Sequence, residues 1–248
     1  MKFSRVSHFI DKYGILKGAG LYLDIKFNRL SKIKIPGIKA PFLLRKGTTD
    51  VAMFDQVFLL DEYKIDFSFE PEVIIDAGAN IGLFSILMKN RFPEARIICV
   101  EPDKENCEVL KKNLDVYSDV QIVNAGLWNS ITKLNVVDKY QAGHSALVVE
   151  EDVVNGEVPA VTIDNLFQTY GLEQVDILKI DIETSEQKLF LKNYEPWLPK
   201  VRMIIIELHD WLKPGCSRAF FEAINKTIKN YTYSVCGENT IIENKDLT

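Results

Sequence analysis

Apolar residues recur along this chain in two rhythms, and the alternation between them outlines its architecture. From Pro71 onward, short apolar runs of strand length alternate with segments whose apolar positions repeat every three to four residues, the spacing of one helix face. The pattern predicts strands at Val73–Asp76, Arg96–Val100, Gln121–Asn124, Val175–Ile182 and Met203–Leu208. It predicts helices at Ile81–Asn90, Lys104–Leu114, Ile163–Tyr170, Glu186–Lys192 and Ser217–Asn230. Tyr231–Cys236 and Asn239–Glu243 read as a closing hairpin across Gly237-Glu238. Repeated strand–helix units imply an α/β fold, a mostly parallel sheet with helices on both faces. Leu127 to Val161 is less regular, with β-like runs at Leu134–Val137 and Ala146–Val149.

Ahead of that core, Phe9–Phe27 reads as helical, weakened by Gly14, Gly18 and Gly20. Lys32–Ile38 and Pro41–Arg45 suggest a short hairpin, and Asp50–Tyr63 a helix that Thr49 or Asp50 can cap. The expected division is a small N-terminal cap, residues 1–66, over a main domain, residues 67–248. A chain of 248 residues is long enough for one such core. Its 47% hydrophobic and 26% charged content is that of a soluble globular protein. No apolar run approaches the ~20 residues that span a bilayer, and Met1–Ile10 lacks the apolar core of a secretory signal. Cys99, Cys107, Cys216 and Cys236 form no C-x-x-C pair and no zinc-ligand spacing. Packed free thiols in a reducing cytoplasm are the expectation.

The net charge of −5 hides an asymmetry. Residues 1–46 hold eleven Lys and Arg against only Asp11 and Asp24, a net of +9, which leaves −14 for the rest. A basic arm on an acidic body can dock on that body, on an anionic membrane surface or on a phosphorylated substrate, or stay a solvated surface. The acidic body, without basic–aromatic interleaving, argues against a nucleic-acid partner.

The densest chemistry lies at Val73-Ile74-Ile75-Asp76-Ala77-Gly78-Ala79-Asn80-Ile81-Gly82, a strand running into a glycine turn and then a helix. Gly78 and Gly82 permit a tight turn and close approach of a ligand. The next strand ends in Glu101, about twenty residues on, where a carboxylate can hold the two hydroxyls of a ribose. This describes a nucleoside-bearing cofactor at the carboxyl ends of adjacent strands. A dinucleotide fingerprint places glycines at the first, third and sixth positions. Here Asn80 stands in the middle and no glycine stands sixth. The Asp-x-Gly-x-Asn-x-Gly pattern instead resembles motif I of S-adenosylmethionine-dependent methyltransferases.

Two further clusters end later strands. Ile177-Leu178-Lys179-Ile180-Asp181-Ile182-Glu183 interrupts an apolar strand with a lysine and closes it with carboxylates. Either Lys179 and Asp181 form a structural ion pair, or Asp181 and Glu183 face the same crevice as Asp76 and Gly78. Ile206-Glu207-Leu208-His209-Asp210 places a histidine at the strand end where sites form, with a pKa suited to proton abstraction. His144 is a weaker candidate for substrate contact.

Together these pieces resemble the FkbM-type methyltransferase family from about Leu43 to the C-terminus. They include Leu44-Arg45-Lys46-Gly47-Thr48-Thr49-Asp50, Ile75 to Gly82, Val100-Glu101-Pro102, Val161 to Leu166, Leu178 to Glu183 and Glu207-Leu208-His209. The family usually has glycine where this chain has Thr184, a branched residue that would be strained at positive φ.

The resemblance implies a Rossmann-like class I methyltransferase, a seven-stranded sheet with an antiparallel C-terminal hairpin, and S-adenosylmethionine as cofactor. It implies O-methylation, commonly of a sugar hydroxyl in a glycan or glycosylated natural product. Asp76, Gly78, Asn80 and Gly82 are expected around the methionyl part of the cofactor and Glu101 at its ribose, with Asn124 or Trp128 bordering the adenine. His209 is the expected base, with Asp181 or Glu183 orienting or replacing it. Asp181 and Glu183 could hold a divalent metal but form no recognisable ligand set, so no metal is expected. The competing readings are an NAD-linked oxidoreductase or epimerase, and a catalytically silent module that docks onto a glycan-assembly partner.

Overall fold

The computed structural model describes residues 5–27, 32–137 and 148–247. His144 lies outside them. The cap opens with α1 (Arg5–Tyr13) and α2 (Ile15–Lys26) rather than one helix. The break falls at Gly14, whose φ of 82° no other residue type adopts cheaply. A Cβ on Gly18 would lie 2.2 Å from the Phe9 carbonyl oxygen, so the missing side chain lets the two helices fold back into contact.

A two-stranded antiparallel pair follows, β1 (Lys32–Ile33) with β2 (Phe42–Leu43). Next comes α3 (Asp50–Phe54), continued by one π-helical turn over Asp55–Leu59 and ending short of the expected Tyr63. The Asp50 carboxylate does not cap this helix. It is fully buried and accepts from the Arg45 backbone N–H at 2.7 Å and the Arg45 guanidinium at 2.8 Å.

The main body runs β3 (Val73–Ala77), α4 (Leu83–Arg91), β4 (Arg96–Val100), α5 (Lys104–Leu114) and β5 (Val120–Val123). The irregular stretch forms β6 (Gly126–Leu127), β7 (Lys133–Val137), β8 (Val148–Glu151) and β9 (Val158–Val161), a small separate sheet of order β6-β9-β7-β8. Then come α6 (Ile163–Tyr170), β10 (Val175–Ile180), the single turn α7 (Glu186–Leu189), β11 (Val201–Glu207), α8 (Cys216–Thr227), β12 (Tyr231–Cys236) and β13 (Asn239–Asn244). The large sheet has order β12-β13-β11-β10-β3-β4-β5, in which β13 runs antiparallel to both its neighbours.

Successive strand residues point to opposite faces, and the core divides accordingly. Ile74 and Ile97 join the cap residues Phe9, Phe42, Phe54 and Phe58 in one apolar cluster, so the cap and the sheet share a core. Ile75, Ile98 and Leu178 pack with Phe167 of α6 and Phe220 of α8 in the other. Register then fixes the site. Ala77 lies opposite both Val100 and Ile180, and Ile180 opposite Ile206. The residues that follow, Gly78, Glu101, Asp181 and Glu207, therefore emerge side by side at one edge, where the strand order reverses and open α/β sheets bind ligands. Among the described residues no helix is long and apolar enough to cross a membrane.

Candidate active site

The turn after β3 is held by its neighbours. Gly78 has φ 76° and donates its N–H to the Val100 carbonyl at 2.9 Å. A Cβ there would stand 1.7 Å from the Asp181 carbonyl oxygen, so the turn fits only without a side chain. Lys179, buried within β10, donates to the Gly78 carbonyl at 2.9 Å and lies 3.5 Å from carboxylate oxygens of both Asp76 and Asp181. The ion-pair reading of Lys179 and the functional reading of Asp181 thus hold together. Burial alone would lower the lysine pKa, but Asp181 and Asp76 raise it, which keeps Lys179 charged.

Glu101, 5% exposed, is oriented by three donors. Its Oε2 accepts from the Asn80 backbone N–H at 2.8 Å, and its Oε1 from the Asp103 N–H at 2.9 Å and the Asn106 amide at 3.2 Å. Desolvation pushes its pKa up to about 7 against these hydrogen bonds. Gly78, Asn80, Glu101, Asn106, Asp181, Glu183 and Ser185 line one cavity, together with Val100, Pro102, Leu127 and Met53.

Not every expected cofactor residue reaches this cavity. Asp76 is fully buried beneath the turn, where it accepts from the Ser85 hydroxyl at 2.6 Å. Gly82 starts α4 at φ 86° against Leu110 and Leu114, a packing role. Asn124 turns its amide back onto the carbonyls of Glu101 and Pro102, both at 2.9 Å, and so shapes the loop after β4. Trp128 lines a neighbouring cavity beside Lys188 and Lys213 instead. Asn106 and Ser185 went unnoticed in the sequence: one sits on a helix already explained by its apolar face, the other hides in an acidic run.

Beyond Asp181 and Glu183 lies a second, more open cavity. It is lined by those two residues together with Asp55, Gln56, Glu62, Glu207, His209, Trp211 and Glu238. Asp181, Glu183 and Met53 belong to both walls. His209 is 2% exposed and ringed by acids. Its Nδ1–H donates to the fully buried Glu186 at 3.0 Å, while Nε2 lies 3.4 Å from Glu207, 3.4 Å from Glu183 and 3.9 Å from Asp181. Burial alone would lower the imidazole pKa. Hydrogen bonds to Glu186 and Glu207 outweigh it and push the pKa up to about 11. The surrounding carboxylates thus favour the protonated ring, a form with no lone pair to take a proton. Asp181, Glu207 and His209 each bring one ligand atom within 4.8 Å of the others, the group among the described residues able to surround a cation.

Glu183 differs. Burial, then the Asp181 charge, raise its pKa to about 8 despite the opposing pull of His209. Backbone geometry places it: Glu183 at φ 46° and Thr184 at φ 73° are two consecutive left-handed residues. Thr184 thus adopts the positive φ foreseen for a glycine at this place, at a cost in strain.

The residues around the first cavity suit an S-adenosyl group. Glu101 keeps one acceptor site, on Oε2, for a ribose hydroxyl. Asn80 Oδ1 and Ser185 Oγ are buried and lack hydrogen-bond partners among the described residues, as a wall awaiting an amino-acid end would be. Comparison with known proteins agrees. The methyltransferase FkbM domain matches residues 76–235. Methyltransferase sdnD of Sordaria araneosa is 29% identical over 81% of this chain and 85% of its own length. AMB antimetabolite synthetase AmbE of Pseudomonas aeruginosa is 24% identical over 78% of this chain, which spans 11% of that protein. The crystal structure of methyltransferase FkbM from Methylobacillus flagellatus shares the fold at a TM-score of 0.51 and 17% identity, covering 72% of this chain and 44% of that one. This excludes the NAD-linked reading: the chain belongs to the FkbM methyltransferase family, and S-adenosylmethionine is its cofactor.

Proposed function

We propose that the protein methylates a hydroxyl of a sugar, carried on a glycan or a glycosylated metabolite, in a reducing cytoplasm. The observation that carries this reading is the shared wall: Asp181 and Glu183 line the donor cavity and the acidic cavity at once. An acceptor in the second cavity would then present its hydroxyl across those two carboxylates. An ionised carboxylate only accepts hydrogen bonds and a protonated one also donates, so a wall of Asp55, Glu62, Glu207 and Glu238 suits a ligand rich in hydroxyl groups, which do both. Trp211, 77% exposed at the same cavity, offers a flat apolar plate for a sugar ring. Four cysteines without a disulfide fit the compartment.

When bound, S-adenosylmethionine supplies an electrophilic methyl carbon on a sulfonium. Glu101 holds the ribose, while Asn80 and Ser185 hold the amino-acid end. Glu183 takes the hydroxyl proton, because a carboxylate with a pKa of about 8 is a stronger base than an ordinary one and still ionises near neutrality. His209 keeps its proton and steadies Glu183 and Asp181 with its charge. Asp181, tied to Lys179, orients the acceptor. Incubating the enzyme with S-adenosylmethionine and candidate glycosides tests the reading by mass spectrometry. A product heavier by one methylene and stable to mild base, as a methyl ether is, supports it. A base-labile ester or a methylated amine as the only product overturns it.

A further inference from the structure

The cap's second helix exposes side chains that a surface helix ordinarily buries. α1 is tied to the body: Phe9 is fully buried and stacks on Phe54 with ring centroids 6.0 Å apart, and Arg5 Nε lies 2.7 Å from Asp55. The Tyr13 hydroxyl donates to the Phe58 carbonyl at 2.8 Å. α2 leans on α1 through Gly18 and buries Ile25. Its other side faces outward, with Ile15 73% and Leu16 90% exposed, Leu23 on the same side, and Phe27 exposed just past the helix end. Leu16, Leu23 and Phe27 stand at i, i+7 and i+11 and so share one face. Lys17 and Lys26 flank that face, the Lys26 ammonium lying over the rings of Tyr22 and Phe27 at 5.4 and 5.5 Å.

We propose that this face of α2 rests on an anionic membrane surface, its aliphatic side chains entering the headgroup boundary and its lysines meeting lipid phosphates. Two observations favour lipid over a protein partner. Ile15 and Leu16 protrude at the turn between α1 and α2, a projecting corner that can enter a soft interface. The charge is also divided in the sense an anionic surface requires: residues 1–46 carry a net +9 and the remainder −14. While Arg5, Lys12 and Arg45 pair with Asp55, Asp61 and Asp50, Lys17 and Lys26 stand beside the apolar face. Other exposed apolar residues, such as Val153 and Val154 beside Glu150, Glu151 and Asp152, lie in acidic surroundings that such a surface repels.

The test is co-sedimentation of the full-length protein with phosphatidylcholine vesicles, with and without phosphatidylglycerol. Binding is expected on the anionic vesicles and not on pure phosphatidylcholine, and added salt weakens it. The double variant Ile15→Ser/Leu16→Ser, at exposed positions, melts like the wild type and binds anionic vesicles about tenfold more weakly or worse. Lys17→Glu/Lys26→Glu weakens binding likewise. Absence of binding to phosphatidylglycerol vesicles at low salt overturns the proposal, as does undiminished binding of the Ile15/Leu16 variant. A concentration-dependent dimer in light scattering that this variant abolishes, without vesicle binding by the wild type, assigns the face to a second copy instead.

Discussion

A side chain on Gly78 has nowhere to go, because its Cβ would meet the Asp181 carbonyl oxygen at 1.7 Å. The donor turn after β3 and the acidic end of β10 touch backbone to backbone, so each fixes the position of the other. Gly78→Ala combines this clash with a φ of 76° that alanine avoids. The variant will lose about 2 kcal/mol of stability or more and its affinity for S-adenosylhomocysteine. Denaturant unfolding and calorimetry measure the two losses, and a wild-type melting curve would refute the tight-turn account.

Glu101→Ala removes the carboxylate assigned to the ribose. Hydrogen bonds to a charged group are worth about 1.5–3 kcal/mol, so affinity for S-adenosylhomocysteine will fall by one to two orders of magnitude. Unchanged affinity removes the assignment.

The pH dependence of Glu101 is a separate test. Its pKa is raised from 4.5 to about 7 in the folded protein, so the native state binds the proton more tightly than the unfolded chain. Protonation therefore stabilises the ligand-free fold at low pH, and this contribution is lost as pH rises through about 7. Ribose hydroxyls donate to the ionised form, so ligand affinity will move the other way, rising across the same window. Glu101→Gln flattens both trends in thermal melts and titration calorimetry.

Glu183 and His209 separate by pH profile. With Glu183 as base, turnover under saturating substrates climbs about tenfold per pH unit below about 8 and then levels, since the deprotonated form carries the reaction. Glu183→Gln abolishes turnover and spares cofactor binding. A limb centred near 6.5, the ordinary histidine value, that vanishes in His209→Gln would return the base role to His209.

Thr184 is a branched residue at φ 73°. Left-handed backbone costs such a residue about 1–2 kcal/mol, which glycine does not incur. Thr184→Gly, although it removes a buried side chain, will therefore melt within about 1 kcal/mol of the wild type instead of showing an ordinary core loss. A loss above about 2 kcal/mol in thermal unfolding means that packing of the threonine outweighs its strain.

The sheet was legible because its strands are local apolar runs, and Gly78, Glu101, Asp181 and Glu183 were found because each ends or follows one. The break at Gly14 and the early end at Leu59 escaped, since helical periodicity continues through both; a glycine only weakens a helix on paper, and whether it takes the positive φ that breaks one is not written in the spacing. The charge state of His209 was out of reach for a similar reason. It depends on Glu186, 23 residues away and brought beneath the ring by the fold. Asp76 and Asn124 bear acidic or amide groups at plausible places, but which of them faces ligand depends on side-chain direction, which spacing does not fix. Asp55, Glu62 and Glu238 come to one cavity from opposite ends of the chain, with no shared local signal.

That last arrangement separates two inheritances. The donor seat is built around the strand ends of the large sheet, where a methyl group too many at Gly78 is not tolerated, and is completed by Met53, Asn106, Leu127 and Val149. The acceptor seat borrows Ala52, Asp55, Gln56, Leu60 and Glu62 from one short surface segment of the cap. On the reading proposed above, exchanging that segment alters the acceptor side alone, while the turns at Gly78 and Glu101 stay as they are.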